Sequence, residues 1–153
     1  MRSLRTLVVA AVAIMVALPA GAAPPQTETV HEHRGTETFI DVAPTCEDGP
    51  LYEITITYNL VEHVTEFDDG RVHATFTQSG KFVAEPLDPE LPGASGRFAI
   101  WGGFNQNNQS VNGTFTFNVT GRFDDGTKIN THLVDHFNVT PTGAEFFFTH
   151  CHD

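Results

Sequence analysis

The tetrapeptide FDDG occurs at residues 67–70 and again at 123–126, each time between runs in which apolar and polar residues alternate. An Asp-Asp-Gly loop flanked by such alternation specifies a β-hairpin. The aspartates suit a type I turn, and the glycine takes the left-handed conformation that completes a three-residue loop. This loop sets Phe67 opposite Arg71 and Phe123 opposite Thr127. Because side chains alternate with period two, the choice of loop decides the face of every residue in both hairpins.

The three-residue loop sorts the second hairpin cleanly. Phe115, Phe117, Val119 and Phe123 share a face with Ile129, Leu133, Phe137 and Val139, while Thr114, Thr116, Asn118, Thr120 and Arg122 join Lys128, Asn130, His132, His136 and Asn138 on the other. A two-residue loop shifts the register by one and scrambles this separation. In the first hairpin the same rule groups Ile54, Ile56, Tyr58 and Leu60 with Val72, Ala74, Phe76 and Phe82. The flanking sequences share little else, so the repeat reads as one hairpin solution used twice. The second strand loses its regular alternation after Leu60, which suggests a bulge there.

The same register exposes residues out of place. Asp135 falls on the apolar face between Leu133 and Phe137, and Glu62, Glu66 and Gln78 fall on the apolar face of the first hairpin. An unpaired carboxylate in apolar surroundings is costly, so such a face holds a partner for it or lines a cavity. A structural hydrogen bond from Tyr58, an arginine or a backbone amide is the plain expectation for Asp135. Catalysis by Asp135 or Glu62 as general acid or base is the sharper one.

Elsewhere, stretches rich in Thr, Phe, Val, Ile and Tyr alternate with turn clusters such as PTCEDGP, EPLDPELPGASG, NQNNQ and TPTG, and no amphipathic helix interrupts them. Strands are expected over 36–42, 51–66, 71–84, 96–105, 111–123, 127–139 and 144–150. The fold class is therefore all-β, an antiparallel meander of seven or eight strands closing into a single barrel, with a β-sandwich as runner-up. Ahead of it, residues 1–23 have the layout of a secretory signal peptide, with Arg2 and Arg5, the apolar run LVVAAVAIMVAL and small residues before a cleavage site. Residues 24–35 are polar, contain two prolines and read as a flexible lead-in, leaving 36–153 as one domain.

The chain carries 8 lysines and arginines against 19 acids, and loss of the leader with Arg2 and Arg5 would leave a formal charge of −13. Such a surface repels nucleic acid and anionic lipid, and no stable membrane anchor is expected. Cys46 and Cys151 are the only cysteines, and in an oxidising extracellular compartment they are expected to form one disulfide. His150 and His152 flank Cys151, but an oxidised sulfur is not a thiolate ligand, so no metal site is assigned. His132 and His136 share a strand face about 13 Å apart, too far for one ion.

No nucleophile elbow, phosphate loop, HExxH or calcium-loop pattern is present, and no cofactor is implied. The segment GRFAIWGGFNQNNQ could place Trp101 and Phe104 at a barrel rim beside a polar loop. GRFAIWGGFNQNN, the hairpin VNGTFTFNVTGRFDDGTKINTHLVDHFNV and the closing TPTGAEFFFTHC resemble a set of secreted bacterial β-proteins to which no function is assigned. In architecture alone the meander is similar to lipocalin-like, dirigent and allene oxide cyclase barrels, an analogy that transfers no residues. The expected function is binding of a small, largely apolar ligand among Tyr58, Phe76, Gln78, Trp101, Phe115, Phe117, Leu133 and Phe137, with Asp135 as polar anchor. The alternatives are an isomerase- or cyclase-like enzyme working through an inward carboxylate, and an extracellular structural or adhesive module. Oligomeric state is not legible.

Overall fold

The computed structural model describes residues 24–107 and 109–153, and residues 1–23, expected from the sequence to be a signal peptide, lie outside them. Seven strands follow one another: β1 (Gln26–Val42), β2 (Leu51–Glu66), β3 (Val72–Pro86), β4 (Ala94–Gln106), β5 (Val111–Phe123), β6 (Lys128–Val139) and β7 (Glu145–His152). Each pairs antiparallel with its sequence neighbours in a single sheet of order β1-β2-β3-β4-β5-β6-β7. The fold is all-β, as the alternation demands. Among the described residues β1 and β7 are not paired, so the ladder does not close into a barrel.

Both FDDG segments form three-residue hairpin loops. Phe67 N donates to Arg71 O at 2.9 Å and Phe123 N to Thr127 O at 2.9 Å, with Gly70 at φ 81° and Gly126 at φ 92°. Asp69 and Asp125 finish the turns by accepting the amides of Arg71 and Thr127. These bonds stabilise the ionised carboxylates, and both pKa values lie below the ordinary 3.8. The resulting registers put Phe117 opposite Leu133, Asn118 opposite His132 and Ile56 opposite Phe82, as the alternation required. Thr140–Ala144 makes a third loop of the same form, with Gly143 at φ 79°.

Two expectations are corrected. Residues 26–35 are not a flexible lead-in but the first half of β1, paired with β2 from Gln26↔Glu66 to Gly35↔Tyr58. The alternation is present there, with Thr27, Thr29, His31 and His33 on one face and Glu28, Val30 and Glu32 on the other. Both faces are exposed and mostly polar, so hydropathy does not reveal it. The bulge expected in β2 lies instead on β1, where Arg34 is the extra residue at φ 57° and the register shifts between His33 and Gly35. β2 itself pairs with β3 without a break from Tyr52 to Glu66.

A single sheet buries one face only by curling on itself. Here Tyr52, Ile54, Ile56, Tyr58, Phe82, Phe98, Val119 and Ile129 form the buried core, all from the inner face of β2–β6. Phe82 packs over the cross-strand pair Gly96 and Gly121. A Cβ at Gly96 would come within 2.7 Å of the Phe82 ring, and one at Gly121 within 3.1 Å.

At this end the edges are tied together. Cys46, in the β1–β2 loop, is disulfide-bonded to Cys151 of β7, with their Cα atoms 5.6 Å apart. Asp153 accepts the Cys46 amide at 3.0 Å, and Thr131 Oγ1 of β6 lies 2.7 Å from both the Pro44 carbonyl oxygen and Asp153 Oδ1. The β3–β4 and β5–β6 connections meet here too, through Asp124 N donating to Gly93 O, and the Tyr52 hydroxyl of β2 donates to Pro92 O. At the opposite end, bounded by the turns at 67–71 and 140–144, no such seal forms among the described residues, and most of the inner face is half-buried, Ala74 and Phe115 being fully buried.

Candidate functional site

Hydrogen-bonded rows crossing the inner face show what the curl encloses. One row reads Glu62, Phe76, Gly102, Phe115, Asp135 and Thr149 from β2 to β7. The next, toward the sealed end, reads Leu60, Gln78, Ile100, Phe117, Leu133 and Cys151. The structure therefore gathers Phe76, Gln78, Phe115, Phe117, Leu133, Asp135 and Phe137 on one face, as the hairpin register implied. Their rings are in contact. Phe76 and Phe115 have centroids 5.6 Å apart, Phe115 stacks on Phe137 at 5.5 Å, and Phe98 meets Phe117 at 6.4 Å.

Next to these rings, at the sealed end, lies a cavity of about 60 Å³. Phe39, Ile54, Ile56, Phe82, Phe98, Ile100, Phe117 and Val119 line it, with Val42 and Pro44 at the end of β1. Its walls are apolar except for one side chain, Asp41. Asp41 is 4% exposed and uses Oδ1 to accept the Val42 amide at 2.8 Å. Burial raises its pKa above the ordinary value, and that amide only partly offsets the effect. Sequence reasoning missed Asp41. It stands between Ile40 and Val42 on a strand with no hairpin turn to fix its register, and it is Ile40 that faces out, 55% exposed.

The other polar residues divide by role. The carboxylate of Asp135 accepts a hydrogen bond from Thr149 Oγ1 at 2.8 Å, so its structural partner is a β7 hydroxyl rather than Tyr58, an arginine or an amide. Tyr58 of β2 bonds to β1 instead, its hydroxyl lying 3.2 Å from Glu32 Oε2 and 3.0 Å from Glu37 Oε1. Burial and the two carboxylates strongly raise the phenol pKa, holding Tyr58 protonated as their shared donor. Glu62 sits between Val30 and Phe76, and burial raises its pKa. Glu62 and Asp135 lie four strands apart in one row, about 19 Å measured along the curled sheet at ~4.8 Å per strand.

Trp101 does not join this group. It lies on the outer face, 40% exposed, opposite Thr77 and Thr116. That face carries cross-strand histidine pairs: His63 with Thr29, His73 with Asn105, His132 with Asn118 and His136 with Thr114. Among the described residues no group of three or more metal-ligating side chains forms. No family model matches the chain, and neither a curated protein nor a solved structure matches it.

Proposed function

We propose that the protein is an extracellular binder of a small, largely apolar ligand, held on the inner face of its curled sheet as in an incomplete barrel. One observation carries this reading: the apolar cavity beside Asp41 adjoins an aromatic group in which Phe76 and Phe137, either side of the buried Phe115, are only half-buried. A filled core needs neither. The disulfide between Cys46 and Cys151 fits an oxidising, extracellular setting. Pockets that swallow a whole ligand measure roughly 300–1,000 Å³, far above the 60 Å³ here, so one end of the ligand fills the cavity while its body lies along the aromatic rings.

The test combines native mass spectrometry of the oxidised protein with fluorescence titration by the apolar dye 1-N-phenylnaphthylamine. The expected results are a discrete adduct lost on denaturation or saturable dye enhancement, with dye affinity several-fold weaker in Phe137→Ala at unchanged secondary structure. A protein that carries no adduct and leaves the dye dark would end this reading in favour of a structural module.

A further inference from the structure

Resting on the reading of the inner face as a ligand site, we propose that its ligand is an amphiphilic amine whose ammonium group enters the cavity and is met by Asp41. Two independent features converge on this chemistry. The first is local. Asp41 is a buried carboxylate in an apolar cavity shared with Phe39, Ile54, Phe98 and Phe117; among the described residues its hydrogen-bond partner is the Val42 amide at Oδ1, and no lysine or arginine lies within ion-pair distance. A buried carboxylate is stabilised by a charged, hydrogen-bonding partner, and among the described residues Asp41 has one backbone amide and no lysine or arginine. An ammonium in the cavity would supply both a charge and further donors.

The second feature is the distribution of charge over the whole sheet. Glu28, Glu32, Glu37, Asp41, Glu62 and Asp135 occupy inner-face positions. Lys81, Arg97, Arg122 and Lys128, which are all the lysines and arginines of β2–β7, occupy outer-face positions. The outer face also carries Glu53 and Glu85, but the inner face holds acids and none of these lysines and arginines, which gives the interior a negative potential that concentrates cations and repels fatty acids and other apolar anions. The rings of Phe117 and Phe98 beside the cavity add quadrupole attraction for a cation. The cavity accepts a primary or sparingly methylated ammonium, while an alkyl or aryl body runs along Phe115 and Phe76.

Isothermal titration of the oxidised protein with n-octylamine, octan-1-ol and octanoate, which share one tail and differ in head charge, tests this. The amine is expected to bind at least tenfold more tightly than the alcohol, with octanoate weakest. Asp41→Asn should abolish the preference while keeping alcohol affinity, and Glu62→Gln should retain most of it. In the wild-type protein the Asp41 carboxyl carbon resonance should move on adding amine, a readout that does not depend on the variant folding. Equal binding of amine and alcohol, or a preference that survives Asp41→Asn, would overturn the amine assignment while leaving the apolar site intact. No binding by any of the three would remove the site itself, and the assignment with it.

Discussion

Asp41 occupies the environment least suited to its side chain, and this has a thermodynamic consequence apart from any ligand. A carboxyl group whose pKa is raised by burial binds its proton more readily in the folded than in the unfolded state, so its contribution to stability is full below the unfolded value and is lost as pH rises through the folded one. Asp41 and Glu62 are both of this kind. Asp69 and Asp125 are the reverse, and what they contribute is present above the ordinary value of 3.8 and lost as pH falls through their depressed values. The urea midpoint should therefore rise on acidification from neutrality and fall again once the turn aspartates protonate. In Asp41→Asn the rising limb should be visibly flatter, since relief of the general negative charge persists but the buried carboxyl is gone. A rising limb unchanged in the variant would show that Asp41 is not held as described. Asp135 was legible in the sequence because a hairpin turn fixed its register, whereas Asp41 follows no such turn and stayed hidden.

At the scale of the element, two Asp-Asp-Gly loops determine the faces of four strands, and that is why so much of β2, β3, β5 and β6 could be read directly. The first half of β1 could not, because a strand exposed on both faces has alternation without a hydrophobic signal. Trp101 was misplaced for a related reason: the glycines at 102 and 103 and the polar residues after them gave no pattern to orient its strand, and only pairing with β3 and β5 does so. The turn glycines carry the more specific expectation. A Cβ at Gly126 would meet no atom within 4 Å, so a substitution there is resisted by the backbone alone, at φ 92°. Gly126→Val should cost about 1–2 kcal/mol in the urea midpoint without changing the slope. Gly126→Asn should cost less, since Asn tolerates the left-handed region. Equal losses for Val and Asn would show that strain at this φ does not set the cost.

For the whole molecule, the question is what keeps an open sheet curled. Six ladders join neighbours in sequence, but nothing in them ties β1 to β7. That work falls to the seal formed by Cys46–Cys151, Asp153 and Thr131. The cysteines stand 105 residues apart, and in the chain-entropy model a loop of that length makes the cross-link worth roughly 4–5 kcal/mol. The seal also shapes the site, since Val42 and Pro44, which line the cavity, immediately precede the bridged loop. Replacing both cysteines by serine should then do two separable things. Stability should fall by up to about 4–5 kcal/mol in equilibrium unfolding. Dye or amine binding should weaken under conditions where the far-ultraviolet circular dichroism is still that of the folded sheet, because relaxing the β1–β2 loop opens the cavity before the ladders part. Binding lost only in step with unfolding would mean that the ladders alone hold the curl and that the disulfide serves stability without shaping the site.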